Sequence, residues 1–233
     1  MNAHPFRYLH CHDIDGAIAG YIINLRETPL KNYPDAAILR ALPKSTSEVF
    51  RIGYIGSVRS RIPEFTALFE AVRGMRDVHM DIYGYGIDYE KLKRQEEQYT
   101  NVIIHGAFDG RTELTGLYEK NDVLFCGYAP KVLNYLGDSE TVKFYKAICT
   151  GTPMIMPAHI GMGDNVEANS FGLTCNTRDP EVIREAIRIL KDNREFWQSC
   201  SDNERAQAHL YDWNQIVSVL LKTYDAESSD RKD

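Results

Sequence analysis

Arg59 and Arg61 follow a glycine in the segment IGSVRSR, and guanidinium groups placed in this way can bind an anion. Gly56 permits a tight turn, and Pro63 suits the first turn of a helix that would follow it. A guanidinium offers a planar fork of donors and keeps its charge, which matches a phosphate group. Two solvated surface arginines would give the same pattern, so this turn alone leaves both interpretations open.

A second candidate anion site lies at the start of the segment SETVKFYKAICTG, residues 139–151. Ser139 or Thr141 is a typical helix N-cap, and the glycine at the end of the segment is a typical C-cap. The N–H groups at the N-terminus of such a helix attract anions. Lys143 and Lys146 are three residues apart and share one helix face, although a solvated pair of lysines would be spaced in the same way.

A third turn, Gly84-Tyr85-Gly86, follows another apolar run. The two glycines permit close approach of the backbone to a ligand, although a plain turn between a strand and a helix explains the pattern nearly as well. Three such turns in one domain together favour a ligand that carries a diphosphate.

The segment His10-Cys11-His12-Asp13 is a candidate metal site, which we exclude on two grounds. Consecutive strand residues point to opposite faces, and no distant group of His or Cys completes four ligands for zinc. The five cysteines include no CxxC pair, which is typical of reduced, buried thiols in a cytoplasmic protein. The sequence contains no Walker A motif and no signature of a Ser/His/Asp or Cys/His nucleophile.

The elements that must position these turns are short apolar runs that alternate with amphipathic helical patterns. The nearly continuous apolar runs indicate strands buried on both faces of a parallel sheet. We therefore predict an α/β fold, a Rossmann-like doubly wound parallel sheet, whose ligands bind outside the carboxyl ends of the strands. The predicted strands are Phe50–Ile55, Val78–Tyr83, Val102–His105, Asp122–Phe125, Met154–Met156 and Leu173–Cys175. The predicted helices are Pro63–Arg73, Tyr89–Tyr99, Arg111–Glu119, Glu140–Cys149 and Glu181–Lys191.

The chain divides into three predicted parts: residues 1–47, an N-terminal remnant and linker; residues 48–225, the Rossmann-like domain; and residues 226–233, a disordered tail. Within the first part we predict a strand over Tyr8–His10 and a helix over Asp15–Leu25. The last stretch of the domain, from Glu195 to Tyr224, has the pattern of two helices, the second starting near Trp213.

Composition limits the classes of partner. The 233 residues carry a formal net charge of −6, so a basic surface for nucleic acid is not expected. Apolar runs all fall short of the roughly 20 residues that span a bilayer, and the N-terminus lacks the pattern of a secretory signal. We expect a cytoplasmic protein with at most peripheral contact with a membrane.

From Phe50 to about Tyr224 the chain resembles the C-terminal, nucleotide-sugar-binding domain of retaining GT-B glycosyltransferases, especially the group that builds bacterial surface polysaccharides. The segment YLHCHDIDGAIAGY resembles the strand, loop and helix of the acceptor domain of that family, most of which this chain lacks, and KNYPDA resembles the linker between the two domains. The segments that carry the main resemblance are IGYIGSVR, MDIYGYGIDYEKLK, NVIIHGAF, NDVLFCGY, ETVKFYKAICTGTPMI and VEANSFGLTC.

The resemblance implies roles for single residues. His12 would contact the donor sugar. Where the family commonly has a glutamate that bonds the ribose, this chain has Lys146, and a charged lysine cannot accept a hydrogen bond; a contact with the diphosphate is its alternative role. The remaining implied contacts are those of Arg59 with the diphosphate, of Thr141, Val142 and Lys143 with phosphate and ribose, and of Tyr85 with the surroundings of the base.

Two functions follow from this resemblance. The first is a glycosyltransferase, or its donor-binding half, that moves a sugar from a nucleoside-diphosphate sugar to a glycan or lipid-linked acceptor. It would use no metal or other cofactor, and activity would need an acceptor-domain partner or a second copy of the chain. The alternative is a catalytically inactive module that binds a nucleotide or a protein partner. A nucleotide-sugar epimerase shares the architecture and is a third, less favoured alternative.

Overall fold

Six parallel strands form the main sheet of the computed structural model, which describes residues 8–9, 21–22, 32–35, 39, 48–59, 62–128 and 141–229. The strands in chain order are β1 (Tyr8–Leu9), β2 (Tyr21–Ile22), β3 (Phe50–Ile55), β4 (Val78–Tyr83), β5 (Val102–Gly106), β6 (Val123–Phe125), β7 (Met154–Pro157) and β8 (Gly172–Cys175). The order across the main sheet is β5-β4-β3-β6-β7-β8, which is the order of a doubly wound Rossmann-like fold. The predicted fold class is confirmed, and the ends of its six strands agree with the prediction to within one residue.

Helices cover both faces of this sheet. They are α1 (Ile62–Val72), α2 (Tyr89–Glu96), α3 (Leu114–Lys120), α4 (Val142–Thr150), α5 (Gly161–Asn169), α6 (Pro180–Asp192), α7 (Arg194–Gln207) and α8 (Trp213–Ser229), with a 3-10 turn at Ala208–Tyr211. The five helices predicted between strands correspond to α1 to α4 and α6, and the two predicted near the C-terminus correspond to α7 and α8. The sequence pattern gives no signal for α5, because GMGDNVEAN is rich in glycine and polar residues.

Two hydrophobic clusters hold the layers together. On one face of the sheet, α1 and α6 bury Leu68 and Ile187 in a cluster that includes residues of β3, β4, β7 and β8. On the other face, α3 and α4 bury Leu117 and Phe144 against β6 and β7. Because both faces are covered by helices, the turns at the carboxyl ends of the strands form the edge of the sheet that can receive a ligand.

At the N-terminus β1 lies within the strand predicted over Tyr8–His10, but two other segments near the ends of the chain differ from the prediction. Tyr21–Ile22 lies inside the helix predicted over Asp15–Leu25, but these residues form β2, which pairs antiparallel with β1. Aromatic and β-branched residues favour this extended pairing. Helix α8 continues to Ser229, into the predicted tail 226–233, because Ala226 and the glutamate after it are good helix formers. The boundary predicted at residue 47 stays a prediction.

Candidate functional site

The topological switch point of the sheet lies between β3 and β6, from which the chain proceeds to opposite edges of the sheet. Ligands of doubly wound sheets bind beyond the carboxyl ends of the two strands at this point. Here β3 leads into the turn Gly56–Arg59, and β6 leads into Cys126, Gly127 and Tyr128. The predicted arginine turn therefore stands at the expected place.

Glycines allow the turns after β3 and β4 to pack backbone against backbone. Gly84 has a φ of +153°, and a Cβ atom there would lie 1.8 Å from the carbonyl oxygen of Gly56. A Cβ atom on Gly86 would lie 2.3 Å from the carbonyl oxygen of Val58. The amide of Val58 donates a hydrogen bond of 3.1 Å to the carbonyl of Tyr85. The close packing of the two turns therefore gives both glycines a structural role, and it favours the plain turn over the ligand contact, the two explanations that the sequence left open.

Lys143 connects the arginine turn with α4. Its Nζ atom lies 3.7 Å from the centroid of the Tyr54 ring and 5.9 Å from that of Tyr128. A Cβ atom on Gly56 would lie 3.3 Å from Cε of Lys143. The Tyr54 hydroxyl donates a hydrogen bond of 2.6 Å to the carbonyl of Ser57, which fixes the ring against the same turn. Two of the predicted anion sites therefore meet in one place.

The N-terminus of α4 is capped by Thr141, one of the two predicted caps. Its Oγ1 accepts a hydrogen bond from the amide of Phe144, and the Tyr128 hydroxyl shares a second bond of 2.9 Å with the same oxygen. Thr141 is buried, and its own amide donates to the sulfur of Met162. The helix consequently begins at Val142 and points its N-terminus at the carboxyl edge of the sheet, where its dipole favours an anion.

Lys146 lies one turn further along α4 and is half-buried. Burial lowers the pKa of its ammonium group, and the positive charge of Lys143 lowers the pKa further. Both effects disfavour the charged form of Lys146, and an anion bound near the two lysines would favour it.

The other predicted site residues divide between described and undescribed parts of the chain. Arg59 is exposed at the end of its turn, and Tyr85 exposes 61% of its surface beside the ring of Tyr89, at a centroid distance of 5.0 Å. Arg61 and His12 lie outside the described residues. Within the described ranges, no group of three or more His, Cys, Asp or Glu side chains is arranged to hold a metal ion.

A cavity that the sequence analysis missed opens beside this site, at the carboxyl ends of β6, β7 and β8. Its volume is about 350 Å³. Arg178 in its wall donates a hydrogen bond of 2.6 Å from Nε to Oε1 of Glu64, a fully buried residue in the first turn of α1. Burial raises the pKa of the Cys175 thiol to about 11. The cavity is lined by Tyr128, Pro157, Ala158, His159, Cys175, Asn176, Thr177 and Arg178.

The family model of glycosyl transferases group 1 matches residues 49–193 of the 233-residue chain, which include the switch point, α4 and the cavity. The chain belongs to this family. No curated protein sequence is similar enough to the chain to match it. Among the described residues, no helix of this group 1 chain has the length and apolar content of a membrane span.

Solved structures with the same fold include three bacterial proteins. HepE (Alr3699) from Anabaena, in complex with UDP and glucose, is 15% identical with a TM-score of 0.68, and the match covers 84% of this chain and 56% of HepE. Sucrose-phosphate synthase from Thermosynechococcus elongatus is 17% identical with a TM-score of 0.67, over 86% of this chain and 52% of that protein. A mutant of S. aureus TarM, in complex with fondaparinux, alpha-GlcNAc-glycerol and UDP, is 17% identical with a TM-score of 0.65, over 84% of this chain and 38% of TarM.

These likenesses show the GT-B type of Rossmann-like fold. The group 1 chain spans about half the length of HepE and of sucrose-phosphate synthase. The resemblance to glycosyltransferases is thus confirmed at the level of the family. The retaining stereochemistry, the polysaccharide class and the truncated acceptor domain stay predictions.

Proposed function

We propose that this chain is a retaining glycosyltransferase, or the donor-binding half of one, whose donor is a nucleoside-diphosphate sugar. The observation that carries the proposal is the contact of Lys143 with the Gly56 turn, because it brings a lysine, an exposed arginine turn and a helix N-terminus to the switch point of the sheet. A diphosphate is the ligand whose charge and length suit such a set of donors.

The proposed ligand lies along the carboxyl edge of the sheet. The diphosphate occupies the space between the Gly56–Arg59 turn and the N-terminus of α4, and the base lies towards Tyr85, whose exposed ring offers a stacking surface. Lys146 adds positive charge on the same helix face. His12 and Arg61 keep their predicted roles as a contact of the donor sugar and as a second guanidinium for phosphate.

In the proposed reaction the bond between the anomeric carbon and the diphosphate oxygen breaks, and the acceptor hydroxyl oxygen forms a bond to the anomeric carbon with the same configuration. The proton of that hydroxyl goes to the departing diphosphate. Arg59 and Lys143 stabilise the negative charge that develops on the departing diphosphate. Fixed cations supply this stabilisation, so the proposal includes no metal ion. The acceptor is a glycan or a lipid-linked saccharide of the kind used in bacterial surface polysaccharides, and the reaction takes place in the cytoplasm. An acceptor domain from a partner or from a second copy completes the cleft.

An inactive binding module is the second candidate, and Lys146 favours it, since a lysine cannot replace the glutamate that the family uses on the ribose. Release of free nucleoside diphosphate with and without an acceptor separates the two candidates. An active transferase releases the nucleotide in proportion to a glycosylated product, whereas the module binds nucleotide without turnover.

Calorimetric titration of the purified chain with UDP, GDP, ADP, TDP and CMP tests the donor site. We expect saturable binding of one nucleoside diphosphate and a loss of roughly ten-fold or more in affinity on Arg59→Ala, because one charge-assisted contact contributes about 1.5–3 kcal/mol. Arg76→Ala is the matched control, since Arg76 is exposed in the turn before β4, at the opposite edge of the sheet. Absence of binding by every nucleotide, or equal losses in both variants, contradicts the proposed site.

A further inference from the structure

The cavity beside the switch point has a guanidinium held in one orientation. Arg178 donates from Nε to Glu64, and its side chain is 42% exposed, whereas that of Glu64 is fully buried. Among the described residues, Glu64 is the carboxylate that pairs with Arg178. A guanidinium has five N–H donors, and the bond to Glu64 uses one of them, so among the described residues the other donors can serve a ligand in the cavity.

The ion pair between Glu64 and Arg178 is less favourable for stability than apolar side chains would be at the same place. Glu64 packs against Gly127, since a Cβ atom added to Gly127 would lie 2.9 Å from the Cβ atom of Glu64. No donor in the described part of the chain reaches Oε2 of Glu64. A buried carboxylate with an unsatisfied oxygen destabilises a protein relative to a well-packed apolar side chain. Stability therefore does not explain the pair, and the positioning of Arg178 does.

Tyr128 joins the cavity to the proposed diphosphate position. Its ring lines the cavity and lies 5.9 Å from Nζ of Lys143, and its hydroxyl bonds to the cap residue Thr141. The base is proposed on the β4 side of the switch point, near Tyr85, whereas the cavity lies on the opposite side, at β7 and β8. A ligand with three parts would thus extend from base to diphosphate to cavity.

We infer that the cavity receives the transferred sugar and that this sugar carries a carboxylate, so that the donor is a nucleoside-diphosphate hexuronate bound by the fork of Arg178. This inference rests on the proposed function. The volume of about 350 Å³ is in the range of small-molecule sites, about 300–1,000 Å³. The carboxylate pairs with the free N–H groups of Arg178, while Asn176, Thr177 and His159 offer polar contacts for hydroxyl groups.

The test compares matched sugars on the nucleoside diphosphate that binds in the titration above. For uridine these are UDP-glucuronate against UDP-glucose and UDP-galacturonate against UDP-galactose. We expect one hexuronate to bind roughly ten- to hundred-fold more tightly than its neutral partner, the effect of one charge-assisted bidentate contact. Arg178→Gln brings this ratio close to one. Arg188→Gln keeps the ratio, because Arg188 is an exposed arginine of α6 outside the cavity.

A second variant allows the test to be made even if Arg178→Gln does not fold. Arg178→Gln leaves Glu64 buried without its partner, whereas Glu64→Gln with Arg178→Gln leaves no buried charge. If the nucleotide binds but both sugar pairs bind equally, or if the folded double variant keeps the preference for the hexuronate, the inference is overturned and the proposed function stands. If no nucleoside diphosphate binds, the proposed function fails, and the inference fails with it.

Discussion

The two halves of the carboxyl edge of the sheet are built in different ways. On the β3–β4 side, two turns pack through their backbones, and Gly84 and Gly86 leave no room for side chains between them. On the β6–β8 side, a cavity is formed by side chains, and its charged group is held by a bond between Glu64 and Arg178, which are 114 positions apart. Backbone contacts therefore determine the shape of the first half, whereas side chains determine the chemistry of the second.

The strongest test of this difference is Gly84→Ala on the backbone side. An alanine there brings a Cβ atom within 1.8 Å of the Gly56 carbonyl oxygen and must also adopt a φ of +153°. We expect the free energy of unfolding to fall by about 3–5 kcal/mol, the combined effect of strain and overpacking. Urea denaturation measures the loss.

The matched control for this change is Gly116→Ala in α3, where an added Cβ atom meets nothing within 4 Å. Alanine has a higher helix propensity than glycine, so we expect this variant to be more stable by up to about 1 kcal/mol. Similar losses in both variants would mean that the two turns are not packed as described.

On the side-chain half, Arg178→Ala is expected to lower the free energy of unfolding by about 2–3 kcal/mol, because it leaves the carboxylate of Glu64 buried without its partner. The double change of Glu64 and Arg178 to glutamine is expected to cost less than the single change, since no charge then remains buried. Denaturation curves of the three proteins give the comparison. A double variant less stable than Arg178→Ala would show that the pair contributes to stability after all.

Sequence reasoning located the first half and missed the second for a physical reason. Strands such as Phe50–Ile55 are mainly apolar runs followed by a glycine, and the turns that follow them are local in the sequence. The cap at Thr141 and the C-cap at Gly151 are local signals too. The cavity depends on Tyr128, Arg178 and Glu64, which only the sheet order brings together. The roles of Gly84 and Gly86 also needed the structure, because the contact that excludes a side chain comes from the neighbouring turn.

Helix α4 lies between the two halves of the carboxyl edge. Substitution of Lys146 on this helix is expected to change the free energy of unfolding least. Burial and the charge of Lys143 lower its pKa in the folded protein below the usual value near 10.5. At pH values below the folded pKa of Lys146 the unfavourable charge is fully present. As the pH rises towards the unfolded pKa, the unfolded state binds more protons than the folded state, and the folded state gains relative stability.

Lys146→Gln removes this group, so we expect it to stabilise the fold by less than about 1 kcal/mol at pH 7. Its advantage over the unchanged protein should shrink as the pH rises towards the usual lysine pKa near 10.5, because the lysine of the unchanged protein loses its proton in the folded state before it does so in the unfolded state. Thermal unfolding of both proteins across this range measures the difference, with Lys120→Gln in the exposed end of α3 as the control. A constant difference across the range would mean that Lys146 is as well solvated as an ordinary surface lysine, and that the charge of α4 is not concentrated on the face between the two halves.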